Sequence, residues 1–229
     1  MLEQVSDRIF RWIEMHGEAQ GKPYRWNSYA IHIPEQKALA LVDPLAMTEE
    51  EAAALEGICP PTDIILTCEY HMREGEQYRH RWDSRLWAND AERERYGIAI
   101  DNWFRDGDLV LDTIGCVFIP AGFYPETALL VQGVPTVLII GDILSGARCD
   151  AGIPEEQLGI AFPEYIPNLN SIRKSLEKLQ NLEFDVLCFG HGDPIRHQPK
   201  RTLEKFIKSD EVWLELEKTK EERGEKRAE

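Results

Sequence analysis

The 229-residue chain lacks any apolar run near the ~20 residues that a membrane-spanning helix needs, so no membrane partner is expected. It has no C-x-x-C motif. Its five cysteines, Cys59, Cys68, Cys116, Cys149 and Cys188, are odd in number and irregularly spaced. That argues against a disulfide framework and for free thiols in a reducing compartment. The first residues include Glu3, Asp7 and Glu14 with no apolar segment, so no secretory signal is read there and a cytoplasmic location is expected. Basic residues are scarce: 26 Lys and Arg stand against 41 Asp and Glu, for a net charge of −15. Such a surface repels phosphate backbones, and no nucleic-acid partner is expected. A G-x-S-x-G nucleophile elbow, a P-loop and a G-x-G-x-x-G strand-to-helix turn are all missing.

The chain does carry the composition of a globular protein, 43% hydrophobic and 29% charged, and is long enough to bury a sizeable core. Ile9 to Ile13 has strand-like composition, and residues 17–23 read as a loop. Tyr29–Ile33 and Ala38–Val42 form a hairpin around Pro34-Glu35-Gln36, and Asp43-Pro44 ends its second strand. Thr48 followed by Glu51 is a capping box, which predicts a helix that stops near Gly57 and Pro60-Pro61. A strand over 63–67 completes a β-α-β pattern. Residues 74–83 read as a short polar helix and 85–88 as a strand, and residues 97–140 are β-rich. Residues 144–168 form a long Gly- and Pro-bearing connection, of the kind that serves as a lid or pocket wall. A helix with Ile172, Leu176 and Leu179 on one face follows, then a strand at 185–189 and an amphipathic helix with Leu203, Phe206, Ile207 and Trp213. Residues 1–216 are expected to form a single domain, with 217–229 a charged, solvated tail.

The chemistry gathers at strand ends. Ile64-Ile65-Leu66-Thr67 runs into Cys68-Glu69-Tyr70-His71-Met72-Arg73, Val137–Ile140 runs into Gly141-Asp142, and Asp185–Phe189 runs into Gly190-His191-Gly192-Asp193. Polar groups just past the ends of buried strands meet in one crevice in open α/β sheets. Asp142 is read either as a metal or general-base group or as a turn cap, and His191 either as a ligand or catalyst or as a satisfied buried histidine. His71 is read as a pocket residue, with a general-base or ligand role as the alternative to a plain backbone-bonded histidine. Tyr78-Arg79-His80-Arg81 is a local basic cluster, suited to an anionic ligand or to a solvated helix face.

Asp43, Leu66-Thr67, Gly141-Asp142 and Gly190-His191-Gly192 resemble, in order and spacing, the metallo-β-lactamase superfamily over about residues 8 to 195. The resemblance implies an α/β four-layer αββα sandwich and a hydrolase ancestry with one or two metal ions at the sheet edges. Against the family's His-x-His-x-Asp-His motif, Cys68 and Tyr70 stand at the first two histidines, Met72 at the aspartate and Arg73 at the last histidine. Phe123 stands where a later histidine is expected. Asp142 and His191 alone match by position. The implied pocket holds Cys68, Glu69, Tyr70, His71, Arg73, Phe123, Asp142 and His191, with His71, Asp142 and His191 as candidate catalytic residues.

Zinc takes about four N, S or O ligands. The expectation is therefore no cofactor and a degenerate site, in a catalytically impaired or binding and scaffold protein with a small-molecule or anionic ligand. The alternative is a metal-dependent hydrolase that holds zinc or another divalent ion with Cys68, His71, Asp142 and His191. Arg73 is expected to replace the lost cation and to pair with Asp142.

Overall fold

The alternation of residues along the buried strands explains the architecture. In Ala38–Val42 (β4), Ala38, Ala40 and Val42 join one apolar cluster, while Leu39 and Leu41 join another on the opposite face. Val137–Ile140 (β11) and Val186–Phe189 (β12) behave the same way: Val137, Ile139, Val186 and Cys188 face the first cluster, and Leu138, Ile140, Leu187 and Phe189 face a third. Strands that are apolar on both faces must be covered on both faces. Two sheets packed on each other, each with helices on its outer side, satisfy that requirement. The structure, a computed structural model, describes residues 2–19, 22–121, 124–148, 152–160 and 162–228, with backbone only at 16–19, 22–24 and 224–228.

The first sheet has seven strands in chain order: Glu3–Gln4 (β1), Ile9–Ala19 (β2), Lys22–Ile33 (β3), β4, Asp63–Ile65 (β5), Arg85–Asn89 (β6) and Asn102–Phe104 (β7). Its first four strands are antiparallel, and β4 to β7 run parallel. The second sheet is ordered β12-β11-β10-β9-β8 and adds Leu109–Val110 (β8), Ile114–Ile119 (β9) and Glu126–Val131 (β10). Only its β11–β12 pair is parallel. Helices Glu49–Ile58 (α1) and Gly75–Trp82 (α2) belong with the first sheet. Leu169–Leu176 (α3), Pro199–Lys208 (α4) and Asp210–Ala228 (α5) belong with the second. The result is the expected four-layer αββα sandwich.

Local chemistry sets the element ends. The Thr48 side chain accepts from the Glu51 amide while Glu51 reaches back to the Thr48 amide, the capping box read from the sequence. Asn168 caps α3 by accepting from the Ser171 amide. Two segments differ from expectation. The loop read at 17–23 is largely strand, because β2 and β3 extend as a long hairpin with a bulge between Met15 and Glu18. The tail is helical: α5 continues through it, tied to the long connection by Lys220 donating to the Pro167 carbonyl and by the Arg223–Glu164 ion pair at 3.4 Å. Among the described residues no helix is long and apolar enough to cross a membrane.

Candidate functional site

The parallel pairs β4–β5 and β11–β12 end side by side, one pair in each sheet. Asp43 follows β4, Thr67 to Arg73 follow β5, Asp142 follows β11 and His191 follows β12. The two halves are stitched together beneath the site. The Asn27 side chain donates to the carbonyls of Phe189 (3.0 Å) and Gly192 (2.7 Å), and its backbone N–H donates to the Gly190 carbonyl at 2.8 Å. Tyr29 donates its hydroxyl to the Phe189 carbonyl at 2.7 Å. Gly192 sits at φ +82°, where a side chain is strained, and a Cβ on Gly190 would lie 2.5 Å from Asp142 Oδ1. The glycines flanking His191 thus let two backbones and a carboxylate close on one another.

A continuous polar chain crosses the site. Asp43 Oδ1 accepts from the Thr67 amide at 2.8 Å, and Asp43 Oδ2 accepts from the Thr67 hydroxyl. The same Oδ2 lies 3.0 Å from His71 Nδ1. The other ring nitrogen, His71 Nε2, lies 3.1 Å from Asp142 Oδ2. His191 Nε2 lies 3.1 Å from Asp142 Oδ1, and His191 Nδ1 donates to the Arg25 carbonyl at 3.1 Å, since a carbonyl only accepts. His71 is 2% exposed and His191 3%, so both rings are withdrawn from water. Glu126, the first residue of β10, holds the turn: its two carboxylate oxygens accept from the amides of Asp142 (2.8 Å) and Ile143 (3.2 Å).

Burial opposes charge on His71, yet the surrounding groups outweigh it and its pKa lies well above the usual 6.5. The attraction comes from the Asp142 and Asp43 carboxylates, because burial pushes the neighbouring Cys68 thiol up to about 12 and keeps it neutral. Burial also works against a charged Asp142, but His191 and His71 more than offset it and hold that carboxyl well below the usual range. Glu126 is pushed up to about 8, first by burial and then by the negative charge of Asp142.

Above this floor opens a cavity of about 660 Å³, within the size range of small-molecule sites. Of the residues named from the sequence, Cys68, Tyr70, His71, Arg73, Asp142 and His191 line it. Glu69 does not; it stands in the short helical turn Glu69–His71. Phe123 lies outside the described residues. The expected Arg73–Asp142 pair is not formed. Arg73 Nη1 donates to the Asp43 carbonyl at 3.1 Å and the Asn27 carbonyl at 3.5 Å, and its guanidinium lies over the Trp26 ring, 5.0 Å from the centroid. Asp142 is answered by two imidazoles instead, because the turn after β5 directs His71 inward while Arg73, at φ +42°, leaves it toward Trp26.

Sequence reasoning missed Glu126, though an acid opening an otherwise apolar strand was a signal. It also missed Trp26, Tyr124, Ile143, Ile160, Phe162, Tyr165 and Ile166, which line the cavity. Four of these come from the long connection, which serves here as a pocket wall. The basic cluster around His80 is a solvated face: Arg79 bonds Asp101 at 2.7 Å, and Arg81 bonds Glu49 at 2.9 Å. Among the described residues no group of three or more His, Cys, Asp or Glu side chains is arranged to hold a metal ion.

A family model described as the metallo-beta-lactamase superfamily matches residues 9–195. Among solved structures, a metallo-beta-lactamase from Hirschia baltica superposes with a TM-score of 0.66 at 14% identity, covering 90% of this chain and 97% of that one. A flavo di-iron protein mutant from Thermotoga maritima superposes with a TM-score of 0.66 at 19% identity, covering 90% of this chain and 61% of that one. At such identities the likeness concerns the fold. No curated protein matches the chain.

Proposed function

The chain belongs to the metallo-β-lactamase superfamily, and from that premise we propose that its site has given up the two-ion centre and now binds a small molecule, with hydrolysis impaired or lost. The observation that carries this reading is His71 bonded between two carboxylates, at 3.0 Å to Asp43 and 3.1 Å to Asp142. Asp43 is buried and Asp142 half-buried beside it, and carboxylates so placed gain from a counter-charge and hydrogen bonds. An imidazole supplies both here, and the fixed charge of Arg73 stands in the same cavity.

The donor set does not fit a pair of divalent ions. An ion in this space would meet a guanidinium at Arg73, a neutral thiol at Cys68 and a ring at His71 already bonded through both nitrogens. Metal ligands must instead be deprotonated and unencumbered.

Two observations favour the other reading, a metal-dependent hydrolase that uses Cys68, His71, Asp142 and His191. Asp142 Oδ1 is buried without a hydrogen-bond partner among the described residues, although His191 Nε2 is 3.1 Å away. Both rings also commit Nδ1 to an oxygen and turn Nε2 toward Asp142, the orientation of metal-bound histidines. An ion held there would supply a polarising charge and an activated water.

Elemental analysis of the purified protein for zinc, iron and manganese, before and after incubation with each metal, decides between them. The proposal expects only traces per chain in both cases. Near-stoichiometric metal that Asp142→Ala or His191→Ala removes would overturn the metal-free reading and support the hydrolase.

A further inference from the structure

Resting on that metal-free reading, we infer that the cavity takes a flat, apolar molecule ending in a single carboxylate, which seats on Arg73. Three observations point there. First, the acids of the floor already have neighbours that answer them: Asp43 bonds Thr67 and His71, Asp142 bonds His71 and lies in ion-pair range of His191, and Glu126 accepts from two backbone amides. Arg73 is bonded only to neutral carbonyls and the Trp26 face, and among the described residues no carboxylate pairs with it. Second, both of those hydrogen bonds use Nη1. Among the described residues the opposite edge, Nε–H with Nη2–H, makes no hydrogen bond, which leaves two parallel donors, the fork that matches one carboxylate. A doubly charged phosphate suits the place less well, because Asp142 and Asp43 stand nearby and like charges repel.

Third, much of the remaining lining of the cavity is aliphatic or aromatic. Ile160, Phe162, Tyr165 and Ile166 come to it from the long connection. Tyr70 and Tyr124 stack at 4.9 Å with their planes 11° apart, and Tyr70 is 64% exposed, so a ring surface stands open to solvent beside the cavity. Aromatic faces of this kind favour planar ligands by offset stacking. A volume of about 660 Å³ accommodates a fused-ring acid.

Calorimetric titration of the protein with naphthoate and with naphthamide tests the inference, because the two differ in charge and little in shape. The titrations use chelator-treated protein of measured metal content, as wild type and as Arg73→Met, Arg73→Lys and Arg81→Gln. Wild type is expected to bind naphthoate at least about tenfold more tightly than naphthamide, the usual scale of a charge-assisted pair. Arg73→Met is expected to erase the ratio. Arg73→Lys keeps the charge without the fork and should keep part of the ratio, which also covers a Met variant that fails to fold. Arg81→Gln, on the exposed face of α2, should keep all of it.

Equal affinities in metal-free wild type, or a ratio untouched by both Arg73 variants, would overturn the inference alone. A ratio lost in Arg81→Gln would move the anion to the outer helix and overturn it as well. A carboxylate preference that appears only with added zinc and survives Arg73→Met would overturn both the inference and the metal-free reading.

Discussion

Replacing His71 with leucine removes a side chain that is 2% exposed and bonds Asp43, Thr67 and Asp142 at 3.0, 3.0 and 3.1 Å. Leucine fills much of the space but offers no donor, so the Asp43 carboxylate, itself 5% exposed, loses its cationic neighbour. Removing one partner from a buried charged network costs about 3–5 kcal/mol. For a chain of this length that lowers the melting temperature by roughly 10 °C. The cost has a pH signature. The folded pKa of His71 lies above 6.5, so its contribution is complete below 6.5 and fades as pH rises through the folded value. Leucine does not titrate, and the gap between wild type and variant should therefore narrow from pH 6 to pH 9. Urea unfolding followed by tryptophan fluorescence, in the presence of chelator, measures both quantities. A gap under about 1 kcal/mol at pH 6, or one that stays constant to pH 9, would refute an imidazolium between two acids.

Other sites give independent checks. Glu92 is 1% exposed, and burial pushes it from 4.5 to about 7. A raised carboxyl costs stability as pH climbs between those values, so Glu92→Gln should gain on wild type by up to roughly 3 kcal/mol over that window, read from paired denaturation curves. Gly190→Ala sets a Cβ 2.5 Å from Asp142 Oδ1 and should cost about 1–3 kcal/mol, whereas Gly57→Ala in α1 meets nothing within 4 Å and should stabilise slightly; thermal melts compare them. Native labelling with iodoacetamide at pH 8, mapped by mass spectrometry, should modify the half-buried Cys59 well before Cys68, which is buried with its thiol near 12. Equal rates at the two positions would contradict the burial of Cys68.

Much of the architecture was legible along the chain. The capping box at Thr48, the hairpin around Pro34 and the buried strands at 38–42, 137–140 and 186–189 rest on local rules of spacing and composition, and each stands where those rules put it. The length of the first hairpin was not legible, because its outer half lacks the apolar alternation that marks a strand. The break at Ser209 between α4 and α5 was not legible either, since apolar residues continue at helical spacing on both sides of it.

The sequence by itself determined which chemical groups follow each buried strand, because strand ends are written in short apolar runs closed by glycine or polar residues. It set Asp142, His191 and His71 just past strand ends in that way. The tertiary structure alone decided how those groups pair. Whether His71 or Arg73 answers Asp142 depends on the backbone of a tight turn and on a tryptophan 47 residues away. Spacing along a chain cannot express that choice, since it is made by distances across two sheets.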